Sequence, residues 1–321
     1  MIRRAVLIAA ILGLLVGVAG FWMLWLAPGP KPGPHTIVVK EGSTLGYVAA
    51  ELDEAGAIPG SAKTFGYMAR LFGSSDPIQA GEFEFPARAS HSQILEMLQE
   101  GKTLQRLVTI PEGLPSVFVQ ERLMAADALT GSVEVPAEGS VLPDSYAYQR
   151  GETRQAVLAR MQAAMTRTLD KLWPERSAES IVSSREEAII LASVVEKETA
   201  KPSERTMVAG VYTNRLRVGM PLQADPTIIY PITRGRPLGR QIRRSEIEAR
   251  NGYNTYSMRG LPVGPIANPG RASIEAVLKP ARTQALYFVA DGTGGHVFAN
   301  TLAEHNANVV KWRAIRRERG I

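Results

Sequence analysis

The chain has 321 residues, of which 45% are hydrophobic and 21% are charged, so its length allows two or three domains with buried cores. It contains no cysteine, which excludes disulfides, thiolate zinc sites, cysteine nucleophiles and a lipoprotein anchor. The formal net charge of +6 suits polyanions such as nucleic acid, anionic lipid or carboxylate-bearing wall polymers, and charge alone does not choose among them.

The N-terminal segment predicts a membrane anchor. Residues 5–27 contain no charged residue and follow Arg3 and Arg4, and roughly 20 helical residues cross a bilayer core. A cleaved signal peptide is the alternative, but its apolar region would be only about 7–15 residues long. Trp22 and Trp25 lie near the far end of the run, where interfacial aromatic residues belong. We expect residues 1–4 in the cytoplasm, a single span over 5–27, and the remainder outside the inner membrane.

Residues 28–35 predict a linker, because they are rich in proline and glycine, and we expect this stiff spacer to lift the following module off the bilayer. Residues 36–101 predict a small α+β module. Its expected elements are a strand over 36–40, a helix capped by Ser43, a helix over 63–71, a strand over 79–85 and a helix over 90–98. Gly101 is expected to close the last helix.

Residues 102–321 predict a larger mixed α+β domain. Its first part should hold a strand over 104–110, a turn at 111–113, a helix over 117–128 and an amphipathic helix over 153–172. Between these helices, residues 138–148 (EGSVLPDSYAY) contain proline and glycine and predict an ordered loop.

The next helix carries the main candidate residue, Glu196. Ser184 and Glu187 fit a capping box, and only Ser193 is polar between Ala188 and Val195, which is typical of a buried helix. Glu196 follows this run directly and should project from a core helix. Burial disfavours a carboxylate and therefore favours the protonated acid that glycosidic chemistry needs.

The pattern leaves a plainer alternative open, in which Glu196 belongs to a polar last turn where the helix leaves the core. Glu198 lies about 200° around the helix from Glu196, so the two do not form a same-face pair. Asp225 is the nearest candidate for a second carboxylate, and an N-cap role for it is an equal alternative.

The segments after Asp225 are basic and then rich in loops. Residues 234–250 are strongly basic, with Ser245 as an expected N-cap. They predict a solvated face, with a site for anionic groups as the alternative. Residues 251–270 are rich in glycine, proline, asparagine and tyrosine. Long loops of this kind are functional or disordered, and tyrosines with amides suit a sugar-binding cleft. A packed structural loop is the alternative.

The C-terminal part should hold a helix over 271–278, a buried strand over 285–290, a hairpin turn into 296–299 and a final basic helix over 302–316. The four histidines show no metal-ligand spacing. We therefore expect no metal and no cofactor.

The order and spacing of several motifs resemble one family, the YceG-like endolytic murein transglycosylases, usually called MltG. The motifs are EGSVLPDSY (138–146), LASVVEKETA (191–200), NRLRVGMPLQADPTIIY (214–230), YNTY (253–256), GLPVGPIANPG (260–270) and YFVADGTGGHVFANTLAEHN (287–306). The first departs from the family, which commonly has larger apolar residues after the glycine. The resemblance covers nearly the whole chain and implies a transmembrane helix, a LysM-like module and a YceG-like catalytic domain.

The resemblance implies that Glu196 matches the essential glutamate of the family. It also implies cleft roles, not further defined, for residues in family motifs: Asp225, Tyr253, Asn254, Tyr256 and Asn268, with Glu198 as a weaker candidate. The implied reaction is endolytic cleavage of the MurNAc-β-1,4-GlcNAc bond of nascent peptidoglycan strands with 1,6-anhydromuramyl ends, which would limit strand length.

The implied partners are glycan strands, the inner membrane and peptidoglycan synthases, although nothing in the sequence identifies a synthase. Nucleic acid is not an expected partner, because the basic residues lie outside the membrane. Two other functions stay open. A conventional muramidase would use Asp225 and water, and a wall-binding scaffold would use the LysM-like module without catalysis.

Overall fold

A computed structural model describes residues 2–320 of the chain, and side chains from residue 7 onward. Helix α1 runs over Ile2–Leu26. It begins three residues before the predicted span of 5–27 and ends one residue before the end of that span. Its segment Leu7–Leu26 is long and apolar enough to cross a membrane. Met1 and the side chains of Arg3 and Arg4, which carry the predicted orientation, lie outside the described residues. The chain forms two compact units, of which the first comprises the residues up to Arg106 together with Tyr148–Gly151.

The first unit contains α1 and a small α+β fold. Its elements are β1 (His35–Val39), α2 (Leu45–Glu54), α3 (Ala62–Phe72), β2 (Gly81–Phe85) and α4 (His91–Glu100). Strands β1 and β2 pair antiparallel, with Ile37 opposite Phe83. Alternate strand residues point inward and pack with the apolar faces of the three helices, on side chains such as Leu52 and Phe65. This element order agrees with the prediction for residues 36–101, and the LysM-like designation stays a prediction.

Residues 28–35 were expected to form a spacer that lifts the module off the bilayer. They instead lie along the module and form hydrogen bonds with it. Trp25 is only 5% exposed and belongs to the module core. The Gly29 N–H donates to the Arg88 carbonyl at 3.0 Å, and the Arg88 N–H donates to the Lys31 carbonyl at 2.8 Å. A Cβ on Gly29 would lie 2.4 Å from the Ala89 carbonyl oxygen. The proline-rich composition predicted stiffness, but long-range packing decides the path.

The second unit comprises Leu107–Ala147 and the chain from Glu152 onward. Its elements, with those of its border with the first unit, are β3 (Arg106–Thr109), α5 (Ser116–Met124), β4 (Ser145–Tyr148), α6 (Arg154–Leu172), α7 (Arg185–Glu198), α8 (Arg205–Arg217), α9 (Asp225–Thr233), α10 (Arg244–Glu248), α11 (Arg271–Leu278), β5 (Tyr287–Ala290), β6 (His296–Ala299) and α12 (Leu302–Arg319). Strands β3 and β4 form one two-stranded sheet, and β5 and β6 form another.

The core of the second unit forms around α7, α8 and α11. Their apolar residues, among them Leu191, Val208 and Ile274, are fully buried. Helix α7 is therefore a buried helix, as its sequence predicted. Apolar residues of α6 pack on the same core, for example Met165 and Leu169. Because α7 is held on several sides, its last turn is a rigid position for a functional side chain.

Four local predictions need correction. Helix α2 is capped by Thr44 instead of Ser43, and the N-cap of α10 is Arg243 instead of Ser245. Asp225 is the first residue of α9, and Ala224 holds the N-cap position. The expected loop over 138–148 ends in strand β4, because Ser145–Tyr148 pairs with β3. Neighbouring polar residues compete for a cap, and the backbone geometry chooses between them.

Candidate active site

The last turn of α7 carries Glu196, and the capping and packing of α7 fix its direction. The Ser184 hydroxyl accepts the Glu187 N–H at 3.2 Å and begins the helix. Ser193, fully buried, accepts the Ile266 N–H at 3.1 Å. This bond ties the loop that precedes α11 to α7. The predicted capping box is changed in one detail, because the Glu187 carboxylate accepts the N–H of Ser183.

The Glu196 carboxyl group is nearly buried and has two donors. Its side chain is 5% exposed. One oxygen, Oε2, accepts the backbone N–H of Gly270 at 2.9 Å, and Oε1 lies 3.4 Å from Nη2 of Arg205. Burial alone disfavours a carboxylate, whereas an N–H donor and a guanidinium stabilise it. Glu196 therefore lies at the end of the core helix with two polar donors beside its carboxyl group.

Arg205 is shared between two carboxylates. The same Nη2 atom that faces Glu196 donates to Oε2 of Glu112 at 2.8 Å. Glu112 is 43% exposed, whereas Arg205 is 12% exposed. The shorter contact is thus to Glu112, at the open side of the site, and the longer one is to the buried glutamate. Arg205 can therefore stabilise a charge on Glu196 while its shorter hydrogen bond is to Glu112.

Two glycines allow the backbone to approach this group. Gly113 has φ +69°, and a Cβ there would lie 3.2 Å from Cγ of Glu196. A Cβ on Gly270 would lie 2.1 Å from Oε1 of Glu112. The left-handed backbone of Gly113 favours glycine for a second, independent reason. Residues 113 and 270 can therefore lie this close to Glu196 and Glu112 because glycine has no side chain.

Asn268 holds the loops around the site together. Its side chain is fully buried. Its Oδ1 accepts the Val141 N–H at 3.0 Å, and its Nδ2 donates to the Leu114 carbonyl at 2.9 Å and to Ser116 Oγ at 3.0 Å. The Gly113 N–H also donates to the Asn268 carbonyl at 2.9 Å. The side-chain amide of Asn268, a predicted cleft residue, is thus bonded inside the protein.

A second carboxyl group, Glu138, is partly buried and belongs to the same network, because its Oε1 also accepts from Asn268 Nδ2 at 3.3 Å. Its Oε1 accepts the Ser116 N–H at 2.9 Å, and its Oε2 accepts the Tyr230 hydroxyl at 3.1 Å. Burial raises the pKa of Glu138, while the bonds from Ser116 and Tyr230 and the nearby Lys197 charge act in the opposite direction. Glu138 opens the EGSVLPDSY stretch, yet no sequence pattern predicted a functional role for it.

Glu198 lies in a separate polar cluster. Its Oε1 is buried and has no hydrogen-bond partner. Burial, helped by the charge of Asp225, raises the pKa of Glu198 to about 7, and Tyr212 and Arg215 oppose the rise. The Tyr256 hydroxyl donates to Oδ1 of Asp225 at 2.6 Å. Three candidates from separate motifs, Glu198, Asp225 and Tyr256, are therefore brought together.

The candidate residues therefore lie in different surroundings. The contacts of Glu196 are with Gly270 and Arg205, and none of its hydrogen bonds joins it to the Glu198–Asp225 cluster. This agrees with the helical angle, which predicted that Glu196 and Glu198 do not form a pair. Arg205 and Glu112, which do accompany Glu196, were missed. Only the turn at 111–113 could have pointed to Glu112.

The 251–270 loop is ordered by its own side chains. Asn254 is fully buried, and its Nδ2 donates to the carbonyls of Ile247 and Ala249 at 2.9 and 2.6 Å. Tyr253 is half-buried, and its ring centroid lies 5.1 Å from that of Tyr230. Asn254 therefore supports the loop from within. Tyr253 belongs to an aromatic pair, and through Tyr230 this pair is linked to Glu138.

A cavity of about 240 Å³ lies next to the turn that carries Glu196. Its lining is mostly apolar and includes Pro115, Pro226, Ile229 and Tyr230, with Lys197 contributing an amine. The Lys197 Nζ donates to the Gly113 carbonyl at 3.4 Å. Small-molecule sites commonly combine such an apolar lining with a few polar groups.

Comparisons with known proteins agree on one family. The sequence model of the YceG-like family matches residues 37–311. A Bacillus subtilis (strain 168) protein named endolytic murein transglycosylase is 26% identical over 328 residues, covering 92% of this chain and 89% of that protein. A protein of the same name from Streptococcus pneumoniae serotype 2 is 27% identical over 325 residues, covering 86% of this chain and 58% of that longer protein.

A solved structure shows the same similarity. The 2.6 Å crystal structure of a YceG-like protein from Listeria monocytogenes has a TM-score of 0.54 and 26% sequence identity, and it covers 86% of this chain and 98% of that one.

Proposed function

Because the chain belongs to the YceG-like family, we propose that it is an endolytic lytic transglycosylase of peptidoglycan with Glu196 as its catalytic residue. The observation that carries this proposal is the Glu196 carboxyl group, which is 5% exposed and fixed by the Gly270 N–H at the end of a core helix. The names of the relatives from Bacillus subtilis and Streptococcus pneumoniae support the same reaction class.

The proposed substrate bond is the β-1,4 bond between N-acetylmuramic acid and N-acetylglucosamine. Protonated Glu196 donates its proton to the leaving glycosidic oxygen as the bond to C1 of the muramyl sugar breaks. The resulting carboxylate takes the proton from the C6 hydroxyl of the same sugar, and that oxygen bonds to C1. The product is a 1,6-anhydromuramyl end, and no water is consumed. A single carboxyl group suffices, unlike in two-carboxylate hydrolases.

The two donors to Glu196 fit both halves of this cycle. In the acid step Arg205 keeps its shorter bond to Glu112 (2.8 Å, against 3.4 Å to Glu196), so Glu196 can hold a proton without leaving the cation unpaired. After proton donation, Arg205 and the Gly270 N–H stabilise the new carboxylate. The mostly apolar cavity beside Lys197 offers a surface on which a sugar can pack.

The remaining parts of the proposal concern location and role. The helix α1 anchors the chain in the inner membrane in a single pass, with residues 1–4 in the cytoplasm and the catalytic unit in the periplasm. From the family resemblance, the enzyme cuts nascent strands, limits their length and works beside peptidoglycan synthases. The module over 36–101 is LysM-like and contributes to wall contact.

The test is mass spectrometry of glycan fragments released from uncrosslinked peptidoglycan by the full-length chain in detergent. A truncation at residue 28 is unsuitable, because it removes Trp25 from the module core. We expect anhydromuramyl ends from the native chain and from Glu248→Gln, an exposed matched control. We expect none from Glu196→Gln.

Other outcomes would identify the other candidates. Reducing muramyl ends would indicate a muramidase that uses water. Wall binding by the native chain and by Glu196→Gln alike, with no cleavage by either, would indicate a scaffold. Cleavage that persists in Glu196→Gln would remove Glu196 from the mechanism.

A further inference from the structure

The contact between α1 and α3, both in the first unit, fixes the position of one part of the module along α1. Phe72, the last residue of α3, packs against the C-terminal part of α1. Its ring centroid lies 4.8 Å from that of Trp22, in an edge-on contact. It lies 5.7 Å from Phe21 and 5.8 Å from Trp25. Three aromatic rings of the apolar helix thus surround one ring of the module.

This contact lies inside the apolar span, not beyond its end. The span ends at Leu26, four residues after Trp22. At a rise of 1.5 Å per residue, Trp22 lies about 6 Å along the helix axis from that end. Phe72 reaches the same level, so, with α1 spanning the bilayer as proposed, the C-terminal turn of α3 would lie where the headgroup region meets the acyl chains. Interfacial helices bury their apolar faces by about 5–10 Å.

The outer face of α3 has the residues that such a position requires. Leu71 is 68% exposed and Tyr67 is 66% exposed, and their four-residue spacing places them on one face. The inner face, with Phe65 and Met68, is fully buried in the module. Arg70 is exposed beside Leu71, and a long cationic side chain can extend to the phosphate level while its stem lies on apolar surface.

The connection between α1 and the module is too short and too well bonded to swing freely. Trp25 is buried in the module core. The Gly29 N–H and the Lys31 carbonyl are both bonded to the backbone of Arg88. The module therefore keeps its orientation relative to α1.

We propose that the exposed face of α3, formed by Tyr67 and Leu71, is a second membrane contact that inserts into the interface of the bilayer that holds α1. The occupant of this face is lipid at the level of the headgroups and the first acyl carbons. The contact sets the height and tilt of the module above the membrane. It rests on the proposed anchoring by α1 and not on the proposed catalytic activity.

The absence of cysteine in the chain makes a direct test possible with single-cysteine variants of the full-length protein. A polarity-sensitive fluorophore is attached at Leu71→Cys, at Val38→Cys or at Val16→Cys. Val38 is a matched control, because it is an exposed apolar residue (43%) of the same unit on strand β1. Val16, 71% exposed on α1, reports on insertion of the anchor.

Each variant is reconstituted at low protein density into vesicles of phosphatidylethanolamine and phosphatidylglycerol that contain nitroxide lipids labelled near the headgroup or deep in the acyl chain. We expect quenching by the shallow nitroxide to be at least about twofold larger at position 71 than at position 38, because interfacial helices lie at that depth. The probe at position 16 should be quenched by the deep nitroxide.

The outcomes separate this inference from the anchor itself. Equal quenching at positions 71 and 38, with position 16 quenched, overturns the membrane contact and leaves the anchor. A probe at position 71 shielded from both lipid and aqueous quenchers shows a protein on this face and also overturns it. No quenching at position 16 overturns the anchor and the inference together.

Discussion

Replacing Asn268 by alanine distinguishes a positioning role from a contact with substrate. The variant removes the acceptor of the Val141 N–H and the donor to the Leu114 carbonyl and Ser116. Val141 is fully buried, so its N–H would be left without a partner. The Leu114 carbonyl keeps its 3.3 Å hydrogen bond from the backbone N–H of residue 268, so it is not left without a partner.

The expected cost follows from these groups. A buried polar group left without a hydrogen-bond partner lowers the free energy of unfolding by about 1–3 kcal/mol. The full loss at the Val141 N–H and the partial losses at the Leu114 carbonyl and Ser116 together give about 3 kcal/mol. At about 2–4 °C per kcal/mol for a unit of this size, the melting temperature should fall by roughly 6–12 °C. The measurement is thermal unfolding of the full-length chain in detergent, followed by circular dichroism. The matched control is Asn300→Ala, at an exposed position, which should change the melting temperature little.

The kinetic result completes this test. Below the unfolding transition, the variant should lose turnover, because Gly113 and Gly270 no longer hold Glu196 in place, while KM should change less. A loss of stability below about 1 kcal/mol, combined with a raised KM at unchanged turnover, would refute the positioning role. It would restore the prediction of a direct substrate contact.

Two further variants test the surroundings of the helix end. Gly113→Ala should lower turnover by about 10–100-fold, since its Cβ would lie 3.2 Å from Cγ of Glu196 and small displacements of a reacting group are costly. Gly131→Ala, with a similar φ of +71° but open space, is the control, and equal losses in both variants would contradict the argument. For Glu198, a pKa raised from 4.5 to about 7 means that the folded chain retains a proton that the unfolded chain releases between these pH values. Stability should therefore fall by up to about 3 kcal/mol as the pH rises from about 4.5 to 7. This fall should be absent in Glu198→Gln, so the melting-temperature profiles of the native chain and of this variant should diverge between about pH 4.5 and 8. Parallel profiles would disprove the prediction.

The sequence alone determined the elements whose signals are local. The apolar run after Arg4 predicted α1, and the run from Ala188 to Val195 predicted a buried helix that ends near Glu196. The period of the apolar residues and the polar cap at Ser184 are set by neighbours within a few positions, so they can be read along the chain. The helical angle between Glu196 and Glu198 also follows from spacing, and the structure gives them different partners.

Only the tertiary structure decided which groups meet at the end of α7. Glu112 and Gly270 are distant from Glu196 in the sequence, and no local pattern predicts that Arg205 bridges two carboxylates. Asn268 and Asn254 are of a residue type that suits a sugar-binding cleft. Their burial depends on contacts with loops from other parts of the sequence. Trp25 reads as an interfacial residue in sequence and lies in the module core in structure. Such contacts depend on long-range burial, because a side chain's partners are chosen by the whole fold and not by its neighbours in the chain.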